Sequence, residues 1–122
     1  MSGVHPHRIA QIAIAVRDLE RAKSFYRDML GLQHLFDAPP GLSFFQCGET
    51  RLMLSRPEGA ESGGNSILYY GVENVAAAYE NMRDRGVAFE EAPRCIAQVE
   101  GKDIWLAVCR DSEGNMFGLI SG

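Results

Sequence analysis

The chain lacks closely paired cysteines, long apolar runs and clustered positive charge, and each absence removes a class of protein. Its three cysteines, Cys47, Cys95 and Cys109, are odd in number, widely spaced and without a C-x-x-C pair. That argues against a disulfide framework and against a zinc knuckle, and it fits a reducing, cytoplasmic setting. No stretch approaches the roughly 20 apolar residues that cross a bilayer. The opening MSGVHPHRIAQ also lacks the apolar core of a signal peptide, so no membrane partner is expected. Twelve Lys and Arg stand against sixteen Asp and Glu, a formal net charge of −4 with no basic run. The phosphate-neutralising surface that nucleic acid requires is therefore missing. What is present, 122 residues of which 46% are hydrophobic and 23% charged, is the ordinary composition of one folded domain.

In RIAQIAIAV, Ile12, Ile14 and Val16 alternate with Gln11, Ala13 and Ala15, the period of two that marks a strand. Asp18 offers an N-cap oxygen. Behind it Leu19, Ala22, Phe25, Tyr26, Met29 and Leu30 recur at helical spacing up to Gly31, which stands where a helix stops. LQHLFDA, LSFFQC and RLMLSR follow as three short strands, and PEGAESGGN, about residues 57–65, has the composition of a surface linker. The pattern then starts again. SILYYGV predicts a strand, Asn74 a cap, VAAAYENMRDR a helix and Gly86 its stop, before the strands VAFEE, IWLAVCR and MFGLIS. PRCIAQVEGKD is an insertion, either a short strand or a loop. Val16–Leu19 set on Val72–Val75 also brings Ala22 onto Ala78, so the second half repeats the first in architecture. The expected fold is α+β: two βαβββ modules, about 8–56 and about 66–122, forming a single domain over 1–122.

The run V-x-D-L-x-x-A-x-x-F-Y-x-x-x-L-G (Val16–Gly31) and the closing D-x-E-G-N (Asp111–Asn115) resemble those of the vicinal oxygen chelate superfamily. It comprises glyoxalases, extradiol dioxygenases, methylmalonyl-CoA epimerases and the bleomycin and fosfomycin resistance proteins, and the resemblance implies that each module curls a mixed sheet into half a barrel with its helix outside. Both stretches have structural reasons of their own. Asp18 caps a helix, and Asp111 can accept from backbone amides while Gly114 or Asn115 takes the positive φ of a tight turn. Enzymes of that superfamily hold a divalent metal with His, Glu or Gln from the first and last strands of each module. The resemblance places those four positions on Gln11, Met53, Ile67 and Gly118, of which only Gln11 could coordinate. A slip of one residue does not help, because Ala10, Ile12, Leu52, Leu54, Ser66, Leu68, Phe117 and Leu119 include no His, Cys, Asp or Glu. No metal and no other cofactor is expected. His5 and His7 flank a proline near the terminus, His34 reads as a satisfied strand residue, and the cysteines read as small buried hydrophobes.

Strand alternation puts Gln11, Ala13 and Ala15, then Arg51, Met53 and Ser55, then Ile67, Tyr69 and Gly71, then Met116, Gly118 and Ile120 on the concave sides. Small residues there leave room for a pocket with deformable and aromatic walls, or else let the sheets close into a dry core. The candidate ligand-binding residues are Gln11, Arg51, Met53, Tyr69, Trp105, Met116 and Gly118. The facing of Trp105 is left open by sequence, and Arg94 and Lys102 in the insertion read as surface charges. The expected function is sequestration or sensing of a small organic, flat or aromatic molecule, by analogy with the metal-free resistance proteins, which the resemblance also implies are homodimers. The alternatives are a divergent enzyme with a displaced metal or a metal-free acid/base site, for which Glu49, Glu100 or Asp103 could serve although no two titratable groups stand at a telling spacing, and a structural or regulatory module without ligand.

Overall fold

The computed structural model describes residues 6–56 and 65–121. The chain divides into two compact units, residues 1–63 and 64–122. The expected linker lies across that boundary, and all of it but Asn65 falls outside the described residues. Among the described residues eight strands form two mixed four-stranded sheets, one per unit, each carrying a helix. Among the described residues no helix is long and apolar enough to cross a membrane.

In the first unit the strands β1 (Gln11–Ala15), β2 (Gln33–Ala38), β3 (Leu42–Cys47) and β4 (Thr50–Ser55) lie in the order β1-β4-β3-β2, with β1 parallel to β4 and the other pairs antiparallel. Helix α1 (Leu19–Ser24) starts where Asp18 Oδ1 accepts from the Arg21 amide at 3.1 Å, the capping geometry that satisfies an orphan donor. The apolar periodicity predicts one continuous helix to Leu30. Instead the chain loosens into a π-helical turn at Phe25–Met29, closed by Leu30 N–H donating to Phe25 O at 3.1 Å. The wider turn brings neighbouring residues nearer a common face, and the adjacent Phe25 and Tyr26 are both buried. They join Ala22 above Ile14, Val16, Phe45, Leu52 and Leu54, all buried, and Tyr26 lies 6.4 Å from the Phe45 ring.

The edge strand β2 is tied to this layer by one carboxylate. Asp37 accepts from Lys23 Nζ of α1 at 2.7 Å and from the buried Ser43 Oγ at 2.7 Å, and it pairs with His34 Nε2 at 2.8 Å. The Lys23 ammonium, then the His34 and Ser43 contacts, hold its carboxyl well below the usual carboxylate range. His34 is thus satisfied locally, with its ring edge against Phe45.

The second unit repeats the plan. Strands β5 (Leu68–Gly71), β6 (Ala88–Val99), β7 (Lys102–Arg110) and β8 (Met116–Ser121) lie in the order β5-β8-β7-β6, with β5 parallel to β8. Helix α2 (Val75–Asp84) is capped by Asn74 Oδ1, which accepts from the Ala77 amide at 3.0 Å. Gly86 ends it at φ 102° as Gly31 ends the first helix at φ 77°, a backbone region costly for any residue with a Cβ. Val75, Val87, Ala107, Cys109, Phe117 and Leu119 are buried in this unit.

The insertion forms neither a separate short strand nor a loop. It fuses with VAFEE into the 12-residue β6, which turns at Glu100 and Gly101 straight into β7. Pairing survives because the register shifts three times, one shift falling between Glu91 and Arg94 and so bracketing Pro93, which has no N–H for the ladder.

The D-x-E-G-N stretch is a self-bonded turn. Asp111 Oδ1 accepts from the amides of Glu113 and Asn115, each at 2.8 Å, and Oδ2 accepts from the Asn115 side chain at 3.1 Å. Gly114 takes the positive φ, 83°. Substituting Asp111→Ala removes these three side-chain bonds from a half-buried turn. The expected loss is about 2 kcal/mol, or roughly 8 °C in the thermal midpoint, with Asp111→Asn costing less. Asp37→Asn tests the second tie. Because the folded-state pKa lies below that of the unfolded chain, the carboxylate's contribution is complete above the ordinary carboxylate pKa of about 4 and fades as pH falls below it. Urea melts should therefore show the variant less stable at pH 7, by at most about 1 kcal/mol given its partial exposure, with the gap narrowing toward pH 3.

Candidate functional site

In the first unit α1 covers one face of the sheet, and the side chains of the other face fall into rows set by the register. Ala13 stands beside Met53, Met53 beside Phe44 and Phe44 beside Phe36, which is an apolar row. One step along, Gln11 stands beside Arg51, Arg51 beside Gln46 and Gln46 beside Gln33, a polar row. The Phe36 and Phe44 rings stack at 4.5 Å with 27° between their planes. The Arg51 guanidinium carbon lies 5.7 Å from the Phe44 centroid, within cation–π range. Gln11 Nε2 donates to Met53 Sδ at 3.8 Å, a weak bond across the two rows. The sequence-predicted Gln11, Arg51 and Met53 are therefore neighbours. Phe36, Phe44 and Gln46 belong with them and were missed, although the alternation of LSFFQC already places Leu42, Phe44 and Gln46 on one face.

In the second unit Tyr69 pairs with Gly118 across the parallel β5–β8 ladder. A Cβ built on Gly118 would come within 2.5 Å of Tyr69 Cδ2, 2.7 Å of Tyr69 Cε2 and 3.3 Å of the Ala107 carbonyl oxygen. The ring thus rests directly on the glycine. Gly118 is buried although Tyr69 remains 53% exposed, the arrangement in which an aromatic side chain covers a strand glycine. Met116 shares this face by strand alternation and is half-buried, whereas Ile67 lies just before β5 and is exposed. Trp105 is not part of this group. Alternation along β7 sets it on the helix side, opposite Ser121 and Cys95, where it lines a cleft of ≈ 510 Å³ with Lys102, Asp103 and the start of α2.

The donor set at Gln11, Met53, Ile67 and Gly118, the positions that the sequence resemblance implies for a metal, does not suit a divalent ion. It consists of an amide already bonded to a thioether, that thioether, an aliphatic side chain, and a glycine under a phenol ring. Among the described residues no three His, Cys, Asp or Glu side chains gather as a metal site would require. His7 is exposed, His34 is engaged by Asp37, and His5 lies outside the described residues. Cys109 fits the buried-hydrophobe reading, with burial pushing its thiol up to about 12, and burial also pushes the half-buried Cys47 up. Cys95 departs from it: this thiol is exposed on the bulged β6. The candidate acids Glu49 and Glu100 sit in turns, and Asp103 lies near the start of β7. Asp103 accepts from Gln98 Nε2 at 2.6 Å, Glu100 sits in the β6–β7 turn at φ 51°, and Glu49 offers its backbone carbonyl to Arg8. Arg94 is an exposed charge paired with Glu91 at 3.1 Å.

Placing Ala at position 118 forces the Tyr69 ring off the sheet. Gly118→Ala is expected to cost about 1 kcal/mol, because an exposed ring can swing aside more cheaply than a packed one. Tyr69→Ala in the same chain should absorb much of that cost, so thermal melts of the two single variants and the double variant will be non-additive. Additive melts would show that ring and glycine do not touch.

A family model described as the Glyoxalase/Bleomycin resistance protein/Dioxygenase superfamily matches residues 8–119. The mitochondrial methylmalonyl-CoA epimerase of Mus musculus is 33% identical over 96 residues, covering 66% of this chain and 54% of that protein, so the chain spans about half the length of that relative. Among solved structures, TnmS3, an antibiotic binding protein from a Streptomyces species, has a TM-score of 0.81 at 24% identity, with 98% of each chain covered. A lactoylglutathione lyase from Agrobacterium tumefaciens has a TM-score of 0.75 at 21% identity, covering 96% of this chain and 95% of that one. These structural likenesses establish the fold shared with the binder and the lyase. With the family match running almost end to end, the chain belongs to the glyoxalase/bleomycin resistance protein/dioxygenase superfamily.

Proposed function

We propose that this chain binds a small organic molecule without a divalent metal, and that it sequesters or senses that molecule rather than transforming it. The carrying observation is the Tyr69 ring on Gly118. The position where a metal-dependent relative would place its last ligand has no side chain, and the space above it is taken by an aromatic ring. A neutral amide and a thioether in the first unit add no anionic or imidazole donor. The same residues do suit a ligand surface, with deformable methionine, aromatic faces and a few polar groups. The antibiotic-binding protein with this fold is a precedent for such a use. The proposal includes a homodimer as the working assembly.

A second reading, an acid–base enzyme of the epimerase kind, has the 33% identity to the mouse protein in its favour. It would draw on Glu49, Glu100 or Asp103 as acid or base. Conversion of a candidate substrate by the purified chain would establish it.

Native mass spectrometry of protein purified without chelator tests the proposal. The expected spectrum shows a dimer with no stoichiometric metal, and ligands found by thermal-shift screening should raise the midpoint in proportion to the logarithm of their concentration. Added Zn²⁺ or Mn²⁺ should leave the midpoint unchanged within about 1 °C, since no binding free energy is then linked to folding. A divalent metal at one per chain would overturn the reading.

A further inference from the structure

We infer that the open face of the first sheet is built for a planar aromatic anion, with the stacked Phe36 and Phe44 as the platform and Arg51 as the counter-charge. This rests on the binding proposal and names its ligand class and the residues that select it. Phe36 is 46% exposed on an edge strand, where an aromatic side chain gains little for the fold, while its partner Phe44 is only 8% exposed beneath it. One ring of the pair is therefore spent covering the other and leaves a flat surface toward solvent. A planar ligand can extend that stack by the offset geometry that rings prefer.

The charge pattern chooses among planar ligands. By alternation and register the strand side chains on this face are Gln33, Phe36, Ala38, Leu42, Phe44 and Gln46 with those of β1 and β4, and only Arg51 among them carries a charge. The acidic Asp37 lies on the opposite, helix-covered side, held by Lys23 and Ser43. Arg51 has no carboxylate partner among the described residues, and its planar guanidinium lies beside the Phe44 ring. A guanidinium so placed presents its N–H fork to a carboxylate whose aromatic body lies on the neighbouring apolar row. Gln11 and Gln46 flank it on either side. Gln46 donates one amide hydrogen to Gly48 O at 2.6 Å, which orients its side chain beside the guanidinium.

The test uses three probes with the full chain: 2-naphthoate, planar and anionic; 2-naphthalenemethanol, planar and neutral; and decahydro-2-naphthoate, anionic but not planar. Methyl-labelled methionine reports where each binds, because Met53 lies on this face and Met116 on the face of the second sheet. The expected result is that 2-naphthoate binds at least tenfold more tightly than either of the others and shifts the Met53 methyl. Arg51→Met should raise its Kd about tenfold while leaving the neutral probe within about twofold, and Phe36→Ala should weaken both planar probes about tenfold. Both variants alter exposed side chains, and melts of the unliganded proteins check that they fold. Equal affinity for the non-planar anion, a shift at Met116 alone, or binding indifferent to Arg51 would each overturn the inference. If other organic compounds raise the thermal midpoint while all three probes fail, this inference falls and the binding proposal stands. A stoichiometric metal removes the binding proposal itself.

Discussion

Each unit is organised by a single crossover. The ladders run β1 with β4 parallel and β4-β3-β2 alternating, so β1 and β2 point the same way from opposite edges of the sheet. A chain leaving β1 can reach β2 only by passing over two intervening strands, and two strands that point the same way in one sheet require a long crossover connection. The helix is that connection, and it can cover only one face. From this follow the division of each sheet into a packed side and an open one and the burial of Ile14, Leu52, Leu54 and Phe45 beneath α1. It also leaves Gln11, Arg51 and Met53 on the face opposite α1, which no described helix or strand of the same unit covers.

The same geometry explains why the residues quoted most often for the superfamily resemblance are scaffolding. Asp18 and Asn74 start the two crossovers, Gly31 and Gly86 stop them, and Asp111 closes the turn that returns the chain to β8. None of them faces an open side. Chemistry in this fold is decided by the side chains at a few alternating strand positions, and these can change without touching the crossover. A shared fold with an antibiotic-binding protein and a lyase is the outcome such independence allows.

The open faces differ between the units. The first carries an aromatic pair, a thioether and a lone guanidinium, while the second carries a ring resting on a glycine. The π-helical turn and the bulged β6 are further departures from ideal elements. The turn lets adjacent aromatic residues share the core, and the bulges let a proline-bearing strand stay in the ladder. Both relieve a local conflict between sequence and element, one from Phe25 beside Tyr26 and the other from Pro93.

The sequence by itself determined the βαβββ repeat, both helix caps and stops, the closing turn, and the lack of acidic or imidazole side chains at Gln11, Met53, Ile67 and Gly118. These rest on local rules, periodicity, capping oxygens, positive φ and residue identity, which act over a few residues. Only the tertiary structure decided that Tyr69 lies over Gly118, that Phe36 stacks on Phe44, that Asp37 gathers Lys23, His34 and Ser43, and that Trp105 stands on the helix side. Each depends on strand register and bulges, which bring together residues far apart in the chain. A one-residue slip reverses every facing, and no local pattern in PRCIAQVEGKD specifies where such slips occur.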